Sequence, residues 1–216
     1  MACLDFAISG GMTSAPSALM PQTPAPKYWA VRGSSIHQRG LFARCDIPND
    51  APIIEYVGEK ITKKESARRG LELEEKARKT GCAAVYVFTL NQKYDIDGGT
   101  ASNPARLINH SCEANCEAYI MRGRIWIYST QEIKKGDELT YNYGFDLDTW
   151  ADHPCRCGKP NCVGYIVDKQ HWPKLRRILK VRAARQEKIA TLEKKARALK
   201  KELRELTPKS KKRKAG

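Results

Sequence analysis

The sequence predicts a mainly β domain with short helices, followed by a long basic α-helix. Three observations predict this architecture. Short apolar or aromatic runs alternate with turn residues from Tyr28 to about Trp172, as in strands joined by tight connections. One charged stretch inside this region has helical propensity, and residues 174–206 contain neither Gly nor Pro. With 216 residues, 41% of them hydrophobic, the chain is long enough for one packed domain and its appendages.

Four runs have the composition of strands, with β-branched and aromatic residues bounded by turn residues. They are APIIEYVGE (51–59), AVYVFTL (84–90), RIWIYSTQEI (124–133) and DELTYNYGF (137–145). A helix is predicted between the first two, in the charged stretch TKKESARRGLELEEKARKTG (62–81), which ends at a glycine. The residues before the first strand, 1–27, are rich in Ala, Ser, Thr and Pro and predict a flexible leader, in which Met1 or Met12 is the start.

The positive charge is concentrated at the C-terminal end. Residues 171–216 contain 18 Lys and Arg against 4 Asp and Glu, a net charge of +14, which leaves +1 of the total of +15 for residues 1–170. Such asymmetry predicts an acidic polymer as partner, so nucleic-acid binding through phosphates is expected of this segment. Base stacking is not expected, because no aromatic residue follows Trp172.

Residues 173–206 are predicted to form one helix that starts at Pro173. Apolar residues recur there at alternating spacings of three and four, as in a coiled-coil seam: Ile189, Leu192, Ala196, Leu199, Leu203 and Leu206. The seam is short and meets Arg185 and Arg182 upstream, so only weak self-association is expected. A solvated helix is the alternative interpretation.

The sequence predicts an intracellular protein. No run approaches the roughly 18 apolar residues of a membrane span. The N-terminal stretch MACLDFAISGGM has no Lys or Arg before its short apolar part, which makes it a poor secretion signal. In a reducing compartment the eight cysteines are expected to be thiols or metal ligands rather than disulfides.

The segment CRCGKPNC places Cys155, Cys157 and Cys162 within eight residues. Three thiols this close predict a common Zn²⁺, which takes four ligands in a tetrahedron. Residue types and spacing leave the fourth ligand open, and Cys112 is the favoured candidate because it directly follows the polar run 109–111. The candidates are Cys82, Cys112, Cys116, His110 and His153. Three unliganded loop thiols are the alternative.

Five motifs occur in a fixed order: RGLFA (39–43), EYVGE (55–59), RLINHSCEANC (106–116), DELTYNYGF (137–145) and CRCGKPNC (155–162). In this order they resemble a SET-domain protein lysine methyltransferase with a post-SET zinc segment, of the trithorax-like pattern. The resemblance covers roughly residues 28–168. It implies a SET-domain β-clip fold with a knot-like crossing of the third and fourth motifs. It also implies domain limits of 28–148 for the SET domain, 149–170 for the post-SET zinc segment and 171–216 for the basic helix and lysine-rich tail.

The resemblance implies S-adenosylmethionine as the methyl donor. On one side the backbone of His37, Arg39 and Gly40 is expected to approach it. The other cofactor contacts implied are Arg106, Asn109, His110, Tyr143 and Tyr165. The resemblance also implies a structural zinc, with the ligands Cys112, Cys155, Cys157 and Cys162. Gln38 departs from the family pattern, which has Gly at this place, so the cofactor loop is expected to lie differently.

By the same resemblance, Tyr143 is the catalytic tyrosine, and Tyr86 and Tyr141 line the lysine channel. Leu139, Tyr141 and Tyr143 share one strand face, which periodicity alone would assign to ordinary core. Methyl transfer needs a neutral amine, yet free lysine has a pKa of about 10.4. Desolvation in a tyrosine-lined channel and a nearby positive sulfur both favour the neutral form. The Tyr141 hydroxyl is expected to limit the product mainly to monomethyllysine, with some dimethyllysine.

The sequence therefore predicts a protein-lysine N-methyltransferase that acts on a basic protein, such as a histone, a chromatin-associated protein or a ribosomal protein. The alternative is an inactive SET-like adaptor that binds nucleic acid through its basic tail. A zinc hydrolase is disfavoured, since four thiolate ligands leave no open position on the metal. The expected location is the nucleus or chromatin in a eukaryote, and the cytoplasm or nucleoid in a bacterium.

Overall fold

The computed structural model describes residues 26–80 and 86–206. The chain divides into two compact units, Met1–Trp172 and Pro173–Gly216. The strands that the structure describes are β1 Trp29–Gly33, β2 Arg39–Ala43, β3 Pro52–Tyr56, β4 Glu59–Thr62, β5 Val87–Thr89, β6 Tyr94–Asp97, β7 Asn109–His110, β8 Cys116–Met121, β9 Arg124–Ser129 and β10 Thr140–Tyr141. The α-helices are α1 Lys63–Thr80 and α2 Trp172–Leu206.

The strands form four small sheets. Strands β1 and β2 are an antiparallel pair, and β7 and β10 are a parallel pair. Two antiparallel three-stranded sheets have the orders β3-β9-β8 and β4-β6-β5. The prediction of a mainly β fold with short helices and a C-terminal helix is confirmed. The strand predicted at 84–90 is described only from residue 86 onward, and Cys82 and nearly all of the predicted leader lie outside the described residues.

The sheets share one apolar core. Aliphatic side chains from β2, β3 and β9 and from the connecting segments fill it, and those at its centre are fully buried: Leu41, Ile47, Ile108, Ile125, Ile127, Ile133 and Leu139. Several strands carry charged residues, as in EKIT (β4) and YDID (β6), so their composition did not mark them as strands. Their pairing depends on partners distant in the sequence rather than on local propensity.

Helix α1 is attached to the β4-β6 sheet by ion pairs. Lys63 pairs with Asp95, a carboxylate that is only 1% exposed. Arg69 pairs with Asp97 at 2.6 Å and with Glu59 at 2.8 Å. These contacts are consistent with the highly charged sequence of the helix, which offers few apolar side chains for packing.

The turn between β1 and β2 contains a non-glycine residue in the left-handed region. Gln38 has a φ of 36°, and its carbonyl accepts a hydrogen bond from the backbone N–H of Ser34 at 3.1 Å. The backbone of a residue with a Cβ adopts this region at a cost in conformational energy that glycine does not have. The turn therefore has a conformation suited to glycine, although the residue is Gln.

The second unit is represented by α2, which has 35 residues. Its side chains are exposed from Lys180 through Glu205. Neither α2 nor α1 has a window apolar enough to cross a bilayer, and they are the long helices of the described residues. The limits predicted for the four segments of the chain stay predictions.

Replacing Gln38 with Gly is expected to raise the free energy of unfolding by about 0.5–1 kcal/mol. Relief of the left-handed strain, about 1–2 kcal/mol, exceeds the entropic cost of a glycine in the unfolded chain. Gln131 is the matched control: it is exposed, lies outside regular structure and is not among the residues with positive φ. Gln131→Gly is expected to lower stability by about 0.5–1 kcal/mol. Urea titration of both variants measures the difference, and a loss of stability in Gln38→Gly would contradict the assignment of strain.

Candidate active site and metal centre

Two segments distant in sequence lie side by side at the centre of the first unit. Strand β7 pairs in parallel with β10, so that Asn109 lies opposite Thr140 and His110 opposite Tyr141. The pairing continues past β7, where the backbone N–H of Ser111 donates to the carbonyl of Tyr141 at 3.2 Å. We call this pairing the crossing.

The side chain of Asn115 fastens β10 from its other side. Its Nδ2 donates to the carbonyl of Glu138 at 2.9 Å, and its Oδ1 accepts from the backbone N–H of Thr140 at 2.9 Å. One amide side chain thus supplies the donor and the acceptor that a neighbouring strand would otherwise supply. Sequence reasoning did not assign Asn115 a role, although it lies within RLINHSCEANC.

The buried side chain of Asn109 connects the crossing to the β1–β2 turn. Its Nδ2 lies 2.7 Å from Oε1 of Glu138, 3.1 Å from the carbonyl of Arg39 and 3.2 Å from Oγ of Ser34. An amide nitrogen has two hydrogens, so it serves two of these three acceptors at a time. Polar groups of the turn and of the crossing therefore converge on the Asn109 amide.

Gly40 allows this close approach. A Cβ added at Gly40 would lie 2.3 Å from Oε1 of Glu138 and 3.1 Å from Nδ2 of Asn109, so the Glu138 carboxylate would have to move away from its present position. The side chains of His37 and Arg39 are exposed, and it is the backbone carbonyl of Arg39 that contacts Asn109. The geometry thus brings Gly40 and the Arg39 backbone to Asn109, while a cofactor role for the backbone of residues 37–41 stays a prediction.

Tyr143 is held against the β7 side of the crossing by two hydrogen bonds. Its hydroxyl donates to the carbonyl of Ile108 at 2.9 Å, and its backbone N–H donates to Nδ1 of His110 at 3.2 Å. A neutral imidazole that accepts at Nδ1 carries its proton on Nε2. That Nε2 lies 3.7 Å from Sγ of Cys112. His110 therefore links the backbone of Tyr143 to the cysteine cluster.

An aromatic cluster surrounds Tyr141 and Tyr143, whose ring centroids are 5.0 Å apart. Phe88 lies 6.4 Å from the ring of Tyr141 and 5.4 Å from that of Tyr56. Burial raises the pKa of Tyr141 well above its usual value and also raises that of Tyr56. Both phenols are therefore neutral near pH 7 and are not phenolate bases.

Tyr86 joins this cluster through its backbone and its ring. Its carbonyl accepts from the hydroxyl of Tyr56 at 2.7 Å and from the N–H of Gly98 at 2.8 Å. The guanidinium of Arg106 lies 5.2 Å from the centroid of the Tyr86 ring, within range of a cation–π contact. Arg106 thus lies beside the predicted channel, with its buried Nε lacking a protein partner.

Sequence reasoning missed Tyr56 and Phe88 as members of the aromatic cluster. Signals for both were present. Phe88 is two residues from Tyr86 and so is expected on the same strand face. Tyr56 lies in the EYVGE motif, whose aromatic position was not used.

Four thiols converge next to the crossing. The Sγ atoms of Cys112, Cys155, Cys157 and Cys162 all lie within 4.8 Å of one another, with Cys112 3.6 Å from Cys162 and 3.8 Å from Cys155. Four sulfurs at about 2.3 Å from a tetrahedral Zn²⁺ would be about 3.8 Å apart. The donor set and its spacing therefore fit zinc.

The protonation of the cluster also favours a cation. The Cys155 thiol, helped by His110, hydrogen-bonds the Cys112 sulfur and lowers the Cys112 pKa to about 3 against the effect of burial. The same Cys112–Cys155 contact raises the pKa of Cys155. Burial, with Cys157 and Cys112, raises the pKa of Cys162 to about 11. One thiolate thus opposes ionisation of its neighbours, and a divalent cation would remove that opposition.

Among the described residues, the other candidate ligands are not members of this four-thiol cluster. Burial raises the pKa of Cys116 to about 12, which keeps it a thiol. His153 packs against Phe145, with ring centroids 4.8 Å apart. His110 Nε2 approaches Cys112 as a hydrogen-bond partner, and Cys82 is not among the described residues.

The segment after the crossing is fastened by more than its thiols. The backbone N–H of Asn161 donates to Oε1 of Glu113 at 2.7 Å, next to Cys112. Tyr165 is half-buried and packs edge-on against Trp150, with ring centroids 4.5 Å apart. Trp150 was not predicted, and a contact of Tyr165 with adenine stays a prediction.

Comparison with known proteins agrees with these features. The family model of the SET domain matches residues 38–144. Residues 38–144 form a SET domain. The chain is 37% identical over 139 residues to a histone-lysine N-methyltransferase, H3 lysine-4 specific, of Emericella nidulans, a match that covers 62% of this chain and 11% of the relative.

Two yeast relatives of the same description give similar matches. The identity is 38% over 139 residues in Saccharomyces cerevisiae and 39% over 138 residues in Schizosaccharomyces pombe, each covering 62% of this chain. The match spans only 12% and 14% of those two relatives. The similarity is therefore to the SET domain of much longer proteins, and their full activities do not transfer with it.

Zinc content is expected to depend on Cys112, the ligand farthest in sequence from the others. The purified protein is expected to contain one zinc per chain, and Cys112→Ser to lose it, because three thiolates leave the tetrahedral site one ligand short and give up part of the roughly 10–16 kcal/mol of zinc binding. Cys45→Ser is the matched control, since Cys45 is an exposed free thiol. Elemental analysis with thermal denaturation measures both. Full zinc retention in Cys112→Ser would rule out the four-cysteine site.

Proposed function

We propose that this SET domain catalyses S-adenosylmethionine-dependent methyl transfer to the side-chain amine of lysine in a basic protein, with histone H3 as the first substrate to examine. One observation carries the proposal. The Tyr143 hydroxyl is fixed on the Ile108 carbonyl at 2.9 Å, beside Asn109 and His110 on one side and Tyr141 on the other. The relatives from Emericella and the two yeasts are H3 lysine-4 specific methyltransferases, which supports the choice of H3 lysine 4 for the first assay.

The proposal assigns the donor pocket to the crossing and the β1–β2 turn. S-adenosylmethionine supplies an electrophilic methyl group on a positively charged sulfur. The buried amide of Asn109, the carboxylate of Glu138 and the backbone beside Gly40 offer a polar, tightly packed wall on which such a cofactor could be oriented. Orienting two reactants for in-line displacement lowers a barrier by up to about 7–11 kcal/mol.

The tyrosine cluster is assigned to the incoming amine. The lysine must lose a proton before its lone pair can attack, and an aromatic lining disfavours the charged ammonium by removing water from it. The phenols of Tyr141 and Tyr56 stay neutral and so do not stabilise the ammonium as an anion would. The proton therefore leaves to solvent, and the phenol oxygens orient the neutral amine by hydrogen bonds.

Zinc has a structural role in this proposal. Cys112, Cys155, Cys157 and Cys162 would hold Zn²⁺ with four thiolates, which leave no position open for catalysis. Residues 149–170 then form a post-SET segment joined to the crossing through Cys112. A nuclear or chromatin location follows if histone H3 is the substrate. Nucleic-acid binding by residues 171–216 and weak self-association stay predictions.

Tyr143→Phe is expected to reduce the rate of methyl transfer by at least about 100-fold. The ring loses the hydrogen bond that fixes it on Ile108, and a displacement of the reacting groups by about 1 Å lowers a rate by about this factor. Tyr119→Phe is the matched control: its hydroxyl bonds Glu117 on β8, and Tyr119 has no place in the aromatic cluster. Transfer of labelled methyl groups to histone H3, with melting curves for all three proteins, measures the effect. Equal activity of Tyr143→Phe and wild type would contradict the proposal. No transfer by wild type to any basic protein would favour an inactive adaptor.

Tyr141→Phe is expected to shift the product from monomethyllysine toward di- and trimethyllysine. The Tyr141 hydroxyl is buried in the cluster, and its removal leaves space for added methyl groups and a less firmly held amine. Mass spectrometry of an H3 peptide after extended reaction measures the methyl states. An unchanged distribution at equal total turnover would rule out this role for Tyr141.

A further inference from the structure

Helix α2 carries an unusual density of positive charge for its length. Its 35 residues include 13 Lys and Arg against 4 Glu. At about 1.5 Å per residue the helix is roughly 50 Å long. From residue 180 through 205 every side chain is exposed, so these charges face solvent.

Part of this charge lies along one face. With about 100° of rotation per residue, five cations between residues 174 and 195 fall within a sector of about 80°. They are Lys174, Arg177, Arg185, Lys188 and Lys195. Glu187 and Glu193, the acidic residues of this stretch, lie about 120° to either side of the sector's centre. We call these five cations the basic stripe.

The basic stripe matches the repeat of a nucleic-acid duplex. From Lys174 to Lys195 the helix rises about 32 Å, close to the roughly 34 Å of one turn of B-DNA. A duplex presents one phosphate charge per about 1.7 Å of axis. Several phosphates along one groove edge therefore lie within reach of the five side chains.

Self-association explains the stripe less well. The apolar seam is exposed, with Ile189 at 46% and Leu203 at 66%, but it begins only at Ile189. Upstream, the same register holds Arg182 and Arg185, so a second helix paired in register would bring like charges together. A polyanion removes that repulsion, whereas a second copy adds to it.

A membrane surface is also a poorer match. Interfacial helices have one broad apolar face, often with aromatic residues. On α2 cations occur all around the helix, and no aromatic residue follows Trp172. The same lack of aromatic residues removes base stacking, which single-stranded nucleic acid would require for tight binding.

We propose that the basic stripe of α2 binds the phosphate backbone of duplex nucleic acid without sequence preference. This activity is separate from methyl transfer. It would hold the chain on nucleic acid, where basic substrate proteins are also bound. Because contacts go to phosphates alone, binding is expected to weaken steeply with salt.

The test compares two charge-matched variants of the full chain by fluorescence anisotropy with a labelled 30-bp DNA duplex. The stripe variant is K174Q/R177Q/R185Q/K188Q/K195Q. The control, K180Q/K194Q/K200Q/R197Q/R204Q, removes three Lys and two Arg from other faces of the same helix. Both variants retain the lysine-rich residues 209–214. Circular dichroism establishes equal helix content before binding is measured.

The stripe variant is expected to lose at least 100-fold in affinity at 100 mM salt, and the control less than 10-fold. The slope of log K against log salt is expected to become shallower by about 4.5 in the stripe variant, because each of the five lost phosphate contacts contributes about 0.9 to the slope. An RNA duplex, single-stranded DNA and vesicles of anionic phospholipid form the other arms. Equal binding of the DNA and RNA duplexes supports recognition of the phosphate backbone alone, and a preference for one of them identifies which duplex the basic stripe binds.

Three outcomes would overturn the proposal: equal losses in both variants, tighter binding to single strands or anionic vesicles than to duplexes, or no duplex binding at low salt. Methyl transfer to purified histone H3 without nucleic acid is measured in the same variants. Its failure in wild type would count against the proposed enzyme activity alone. Methyl transfer by a protein that does not bind duplexes would count against the proposal for the basic stripe alone.

Discussion

The parallel pairing of Asn109–His110 with Thr140–Tyr141 is the constraint on which the rest of the site depends. Each strand is two residues long, so its own backbone hydrogen bonds are too few to hold it. Side chains complete the structure: Asn115 fastens β10, and Asn109 joins β7 to Glu138 and to the β1–β2 turn. These buried polar bonds are costly to leave unmade, since a buried donor or acceptor without a partner costs about 1–3 kcal/mol. The crossing is therefore a specific arrangement rather than a loose contact.

His110 makes the cysteine cluster and the tyrosine cluster parts of one structure. Its Nδ1 accepts from the backbone of Tyr143 and its Nε2 faces the sulfur of Cys112. In metal sites, such partners of a ligand orient it and affect affinity nearly as much as the ligands do. Under the proposed zinc occupancy, the ion would steady Cys112, Cys112 would orient the imidazole, and the imidazole would hold the backbone of Tyr143. A structural metal would in this way affect the geometry of catalysis without touching a substrate.

The sequence was most informative where chemistry constrains residue type. Three clustered cysteines predicted the zinc segment, and five motifs in a fixed order, among them the Asn-His pair and the alternating tyrosines, carried the resemblance that implied the fold and the residues that meet at the crossing. Strands such as EKIT and YDID were missed because tertiary pairing overrides their weak local propensity. Asn115, Glu138 and Trp150 were missed for another reason. Their roles depend on partners 23 to 29 residues away or on packing against Tyr165, and neither relation leaves a periodic signal in the chain.

The central claim is that the crossing forms one wall of a methyl-donor pocket, with Tyr143 at its mouth. A crystal structure of the zinc-loaded protein with S-adenosylhomocysteine tests this most directly. The account predicts the bound molecule against Asn109, His110 and the backbone of the β1–β2 turn, with its sulfur facing the hydroxyl of Tyr143. A cofactor bound elsewhere, or a Tyr143 ring turned away from the sulfur with the crossing intact, would contradict it.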